Sequence, residues 1–278
     1  MFEGRHLIIA TKHQKEKVFA PILEKELAVK CFVASNLDTD KLGTFTGEVE
    51  RKFDPITTAK IKCLMAMELN HCDLAIASEG SFGPHPSLPF ISADDEFLLM
   101  IDKKNNLEIV VREISNETNF NGSIIQTETE LNDFASKANF PSHGLILRKS
   151  KADYSNIVKG ITNLDQLKSV FSHFISDGGK VYIETDMRAM YNPTRMKVIA
   201  RATKKLIEKI NSRCPDCQMP GFGITEAKHG LPCSVCRFPT RSILSFIFSC
   251  HKCSFTKEET YPHGKQTENP MYCDICNP

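Results

Sequence analysis

At 278 residues the chain has room for one large or two ordinary domains, each with its own apolar core. Its 35 lysines and arginines against 34 aspartates and glutamates exclude a global charge bias toward nucleic acid or an anionic membrane. No apolar run reaches about 18 residues, and MFEGRHLIIATKH at the N-terminus holds too few apolar residues for a secretory leader, so a cytoplasmic protein is expected.

The first 212 residues alternate strand and helix patterns. HLIIA (6–10) reads as a strand and KEKVFAPILEKEL as a helix, with Pro21 predicting a kink or a late start because it removes one hydrogen bond. KCFVAS is a second strand. DPITTAKIKCLMAMELN (54–70) is a helix, with Asp54 suited to the N-cap and Pro55 to the first helical position. DLAIAS then reads as a strand ending on SEGSFG, and EFLLMID with LEIVVREI as a hairpin. A weaker helix near 128–138 follows. GLILRK is a strand, NLDQLKSVFSHFI a helix capped by Asn163, KVYIETD a strand, and NPTRMKVIARATKKLIEKI a final helix. Strands alternating with helices predict an α/β class, an open mixed sheet flanked by helices over residues 1–212. At NSRCP the pattern changes, and residues 213–278 form a separate module.

Eight of the 11 cysteines lie in that module as four CxxC pairs: Cys214/Cys217, Cys233/Cys236, Cys250/Cys253 and Cys273/Cys276. A CxxC turn brings two thiolates to one tetrahedral zinc, so four turns predict two closed four-cysteine sites and two structural Zn²⁺. A redox CxxC would explain one pair at most. A nested pairing, with the two inner turns forming a zinc ribbon and the outer turns meeting around it, is slightly favoured over sequential pairing. His229, His251 and His263 are spare. Cys31, Cys63 and Cys72 read as reduced core thiols. The module has seven basic and six acidic residues. Two Zn²⁺ and eight thiolates bring it to about −3, which argues against nucleic acid and for a structural or protein-docking role.

Ligands of open α/β sheets lie outside the carboxyl ends of strands. Three such ends carry polar groups: Thr11, Lys12, His13 and Lys15 after the first strand; Glu79, Ser81 and backbone N–H groups in SEGSFG; Glu184, Asp186, Arg188 and Arg195 in ETDMRAMYNPTR. Lys12, Lys15 and Arg195 crowd predicted helix N-termini, where a cation is unfavourable unless an anion sits nearby. A phosphorylated ligand is the expectation.

TKHQKE, GTFTGEVE (43–50), TAKIKC (58–63), SEGSFG and PTR occur in an order that distantly resembles the inosine triphosphate pyrophosphatase/Maf superfamily, over residues 5–212. In that family Thr-x-Asn-x-x-Lys holds phosphates; here Thr11 matches, His13 replaces the Asn, and Lys15 stands one place early. The resemblance implies Glu48 and Glu79 as Mg²⁺ ligands, Lys62 as a further catalytic-site cation, and release of pyrophosphate from a nucleoside triphosphate. The whole chain is also similar to an uncharacterised bacterial family that joins such a domain to GLPCxxC…CxxC…CxxCNP, here GLPCSVC, CHKC and CDICNP. The alternative is a non-catalytic protein that senses a nucleotide and docks a partner through its zinc module.

Overall fold

The computed structural model describes residues 1–35, 37, 43, 48, 49 and 52–278. The stretch GTFTGEVE therefore lies largely outside the described residues. The chain divides into two compact units, Met1–Leu206 and Ile207–Pro278.

The first unit opens with β1 (His6–Ile9), α1 (Glu16–Leu27), β2 (Lys30–Val33), α2 (Pro55–Leu69) and β3 (Leu74–His85). These strands lie parallel in the order β2-β1-β3, and β4 (Leu88–Asp102) and β5 (Leu107–Ser115) extend the sheet antiparallel. The predicted late start of α1 does not occur: the helix begins at Glu16 and runs through Pro21. Asp54 caps α2 as expected, its carboxylate accepting from the Ile56 and Thr57 N–H groups at 3.0 Å each.

Successive residues of a strand face opposite sides of the sheet. Ala75 and Ala77 join Ile8, Leu99 and Ile101 under Ala59, Cys63, Ala66 and Met67 of α2. Ser78, Gly80 and Phe82 face the other side, with Leu98, Glu96 and Asp94 as their partners on β4.

A second sheet, order β6-β9-β7-β8, is built from β6 (Gly122–Ile125), β7 (Leu145–Arg148), β8 (Ile157–Ile161) and β9 (Val181–Thr185), every pairing antiparallel. It packs on α3 (Glu128–Lys137) and α4 (Leu164–Gly178) through Leu131, Phe134, Leu167, Phe171 and Phe174. The α/β class is observed, its strands distributed over two sheets. α5 (Pro193–Asn211) carries Arg195 into the first unit and crosses the boundary between units.

The second unit is a three-stranded meander: β10 (Gly223–His229), β11 (Ile243–Ser249) and β12 (Thr256–Thr260), order β10-β11-β12, antiparallel. Its apolar core is small: Cys214, Phe222 and Cys250, with Met219, Phe248 and Phe255 against them. Cys63 is buried in the first unit while Cys31 and Cys72 are half-buried; all three are free thiols, and burial raises the thiol pKa of Cys31 to about 12.

Candidate functional site

SEGSFG was expected as a loop offering backbone N–H groups. It is instead the middle of β3, paired residue for residue with Ala93–Leu98 of β4, so its backbone runs in a ladder and not in a loop. The sequence departs from loop behaviour because β4 starts at Leu88, well before its apolar run, and offers β3 a partner along its full length. Gly80 is required there. A Cβ at this position would collide with Glu96 Oε1 and with an Arg195 guanidinium nitrogen.

Around Gly80 the interior is charged. Lys15, at the start of α1, donates from Nζ to the Ser78 hydroxyl at 2.8 Å and the Ser78 carbonyl at 3.1 Å. Burial, reinforced by the Arg195 charge, lowers its amine pKa to about 8. Arg195 Nε donates to Glu96 Oε1 at 2.6 Å and its Nη1 to the Met187 carbonyl at 2.5 Å; both ion-paired side chains are wholly buried. Its guanidinium also lies 5.0 Å from the centre of the Phe82 ring. Asp94 is 1% exposed, and burial together with the Glu96 charge raises its carboxyl pKa to about 8.

Glu79 points to the opposite face, where it is ion-paired with Lys62 of α2. The expected residues therefore meet in two groups on either face of β3: Lys15 and Arg195 on one, Lys62 and Glu79 on the other, with Ser81 half-buried at the next position on the Glu79 side. Glu48 is ion-paired with Lys159 on β8. Arg188 lies in the turn after β9, its Nη2 2.6 Å from Asp186 Oδ2 and its guanidinium 4.6 Å from the Tyr191 ring centre. Thr11 and Lys12 border a cleft of about 530 Å³ that Gln14, Glu16, Val33, Ala34 and Leu37 also line; His13 is half-buried beside it. Ser78, Asp94 and Glu96 were missed by sequence reasoning. Their signal was the spacing of two acids, 94 and 96, in step with the apolar Leu98 and Met100.

The eight module cysteines form two groups: Cys214, Cys217, Cys250 and Cys253, and Cys233, Cys236, Cys273 and Cys276. The arrangement is interleaved, so neither the nested nor the sequential pairing holds. The reason is topological. Each CxxC turn sits near a strand end, and one strand of five to seven residues, about 17–23 Å long, separates successive turns. In an antiparallel meander, first and third turns then meet at one end and second and fourth at the other. Within each group, between its two turns, Sγ–Sγ distances are 3.6 Å for Cys214–Cys253 and Cys217–Cys250, 3.9 Å for Cys233–Cys276 and 3.5 Å for Cys236–Cys273. Four sulfurs at about 2.3 Å from a tetrahedral Zn²⁺ stand about 3.8 Å apart, so the donor set fits the metal. Backbone N–H groups of Cys236 and Val235 lower the Cys233 thiol to about 7, toward the ligating thiolate. The spare histidines are used otherwise: His229 is 2.5 Å from the Arg241 carbonyl oxygen, His263 stands edge-on to Phe246, and His251 is exposed.

Among the described residues no helix is long and apolar enough to cross a membrane. No curated protein matches the chain. A family model described as a domain of unknown function, DUF6671, matches residues 62–278, from the middle of α2 through both cysteine groups. The chain belongs to the DUF6671 family.

Proposed function

We propose that the first unit binds a phosphorylated small molecule, a nucleoside triphosphate in particular, at the carboxyl ends of β1 and β3. The observation that carries this reading is the place of the Thr11–Lys15 turn. Strand order β2-β1-β3 sends successive connections to opposite sides of β1, and ligand crevices open where connections diverge in this way. The cleft beside Thr11 and Lys12 opens at the carboxyl ends of β1 and β2, next to the first N–H groups of α1. Lys15, Lys62 and Arg195 supply positive charge close by. In its finer form, implied by the pyrophosphatase resemblance, the site takes Mg²⁺ on Glu48 and Glu79. The metal polarises the phosphoryl group and activates water, giving a nucleoside monophosphate and pyrophosphate. The second unit holds two structural Zn²⁺ on its eight cysteines.

One observation favours a second reading, binding without turnover. Glu48 is ion-paired with Lys159 and Glu79 with Lys62, so each acid expected to hold Mg²⁺ already has a cationic partner. The protein would then sense the nucleotide and dock a protein partner through the zinc module. Calorimetry with ATP, ITP and GTP, paired with a pyrophosphate-release assay in Mg²⁺, separates the two. Binding of at least one nucleotide, weakened about tenfold or more in Lys15→Ala, is expected. Binding without release leaves the sensing reading, and no binding of any nucleotide removes both.

A further inference from the structure

Asp94 and Glu96 occupy alternate positions of β4 and therefore share a face of the sheet, with Cβ atoms about 7 Å apart. Asp94 is 1% exposed and Glu96 wholly buried. Neither Asp94 oxygen has a hydrogen-bond partner among the described residues, and Glu96 Oε2 has none either. Three oxygens of these two buried groups thus lack donors, although a buried polar atom left without a hydrogen bond is costly. The neighbouring cations are committed elsewhere: Lys15 donates to Ser78, and Arg195 grips Glu96 through the other oxygen, Oε1. Gly80, across from Glu96, leaves the room that the Glu96 carboxylate and the Arg195 guanidinium occupy, since a Cβ there would strike both.

We propose that Asp94 and Glu96 hold one divalent cation of the Mg²⁺ class, its remaining positions filled by water and by phosphate oxygens of the ligand in the adjoining site. Mg²⁺ characteristically uses one or two carboxylates together with water and substrate phosphates, not a dedicated cage of protein ligands. The donor chemistry agrees with that. The only groups of three or more close protein ligands among the described residues are the two cysteine sets. A cation between Asp94 and Glu96 neutralises the unpartnered oxygens. The phosphate half of this arrangement rests on the phosphorylated-ligand reading; the two carboxylates do not.

The test uses the full-length, zinc-loaded chain and Mn²⁺ as the probe, followed by electron paramagnetic resonance, first alone and then with tripolyphosphate. One Mn²⁺ per chain is expected, bound more tightly once tripolyphosphate is added. Asp94→Asn and Glu96→Gln should each weaken it about tenfold or more, since even indirect partners of a ligated metal are worth that much. Glu128→Gln, at the exposed first turn of α3, should change it less than about twofold. No Mn²⁺ bound at millimolar concentration, equal binding in all variants, or a loss confined to Glu79→Gln would overturn the assignment. Because a buried variant can fail to fold, the wild type is also mapped by Fe²⁺-directed oxidative cleavage. Cuts within residues 92–98 support the site, and cuts only elsewhere overturn it. If ATP binds without metal while Mn²⁺ does not bind, the cation site falls and the ligand reading stands. If Mn²⁺ binds and no polyphosphate does, the cation site stands and the ligand reading falls.

Discussion

Arg195 enters the interior in the first turn of α5, the helix end that repels a cation by up to about 1 kcal/mol. Its wholly buried contact with Glu96 offsets this only while both partners are present. Arg195→Ala should therefore cost about 3–5 kcal/mol in chemical denaturation, because it strands a buried carboxylate. Replacing both partners, Arg195→Met with Glu96→Leu, should cost much less than the sum of the single changes. An additive double mutant would show that the two charges are not coupled. Lys15 gives a pH signature of its own. Burial lowers its folded-state pKa to about 8, below the ordinary 10.5 of an unfolded lysine, so between those values the unfolded chain binds more protons. Stability must then rise with pH across that window, by roughly 3 kcal/mol from this residue. The difference between wild type and Lys15→Met in urea titrations from about pH 7.5 to about pH 10.5 isolates the effect from other lysines, and parallel curves would refute it. Asp94 works in the opposite sense. Its folded pKa near 8 lies above that of an unfolded carboxyl, so its contribution is present at acidic pH and fades toward pH 8.

Elements decide which of these residues meet. The helices were legible because their signals are local: Asp54–Pro55 opens α2, and Asn163 caps α4 by accepting from Gln166 N–H at 2.8 Å. The length of β3 was not legible. Gly80, Gly83 and Pro84 read as punctuation, yet pairing with β4 carries the strand to His85. The same pairing draws Asp94 and Glu96 inside, although a run of acids taken by itself favours solvent. Long-range pairing overrode local propensity at the place where the candidate site lies. The cysteine pairs show a similar division. Spacing fixed the ligands, but their grouping depended on how many strands separate the turns. This grouping makes a clean prediction. Removing Cys214 with Cys253, members of one set, should leave one zinc per chain by metal analysis. Removing Cys214 with Cys233, one from each set, should damage both sites and lower zinc toward none. Nested pairing predicts damage to both sites for Cys214 with Cys253, and sequential pairing predicts one zinc left for Cys214 with Cys233. Either result would reject the interleaved arrangement.

The two compact units differ in what holds each together. The first buries a sheet between helices, with Ile8, Ala75, Leu99 and Met67 in one layer and Leu145, Ile183, Phe171 and Phe174 in another. The second has three buried residues and three partners in its apolar cluster, two of the buried ones being cysteines, and β12 is exposed along its whole length. A unit of this size with so little apolar burial does not fold on hydrophobic free energy alone. Metal binding must supply the difference, and structural Zn²⁺ contributes on the order of 10 kcal/mol or more in small Cys-ligated modules. The expectation is specific. Purified full-length protein should contain two zinc ions per chain with none of the eight module thiols titratable. A strong chelator should then abolish hydrogen-exchange protection of amides in β10 and β11 while those of β1, β3 and β4 keep theirs. Restoring Zn²⁺ should return the protection, whereas Mg²⁺, which prefers oxygen ligands, should not. Protection of β10 and β11 that survives complete zinc removal would mean that the meander folds without metal, and the cysteine sets would lose their structural role.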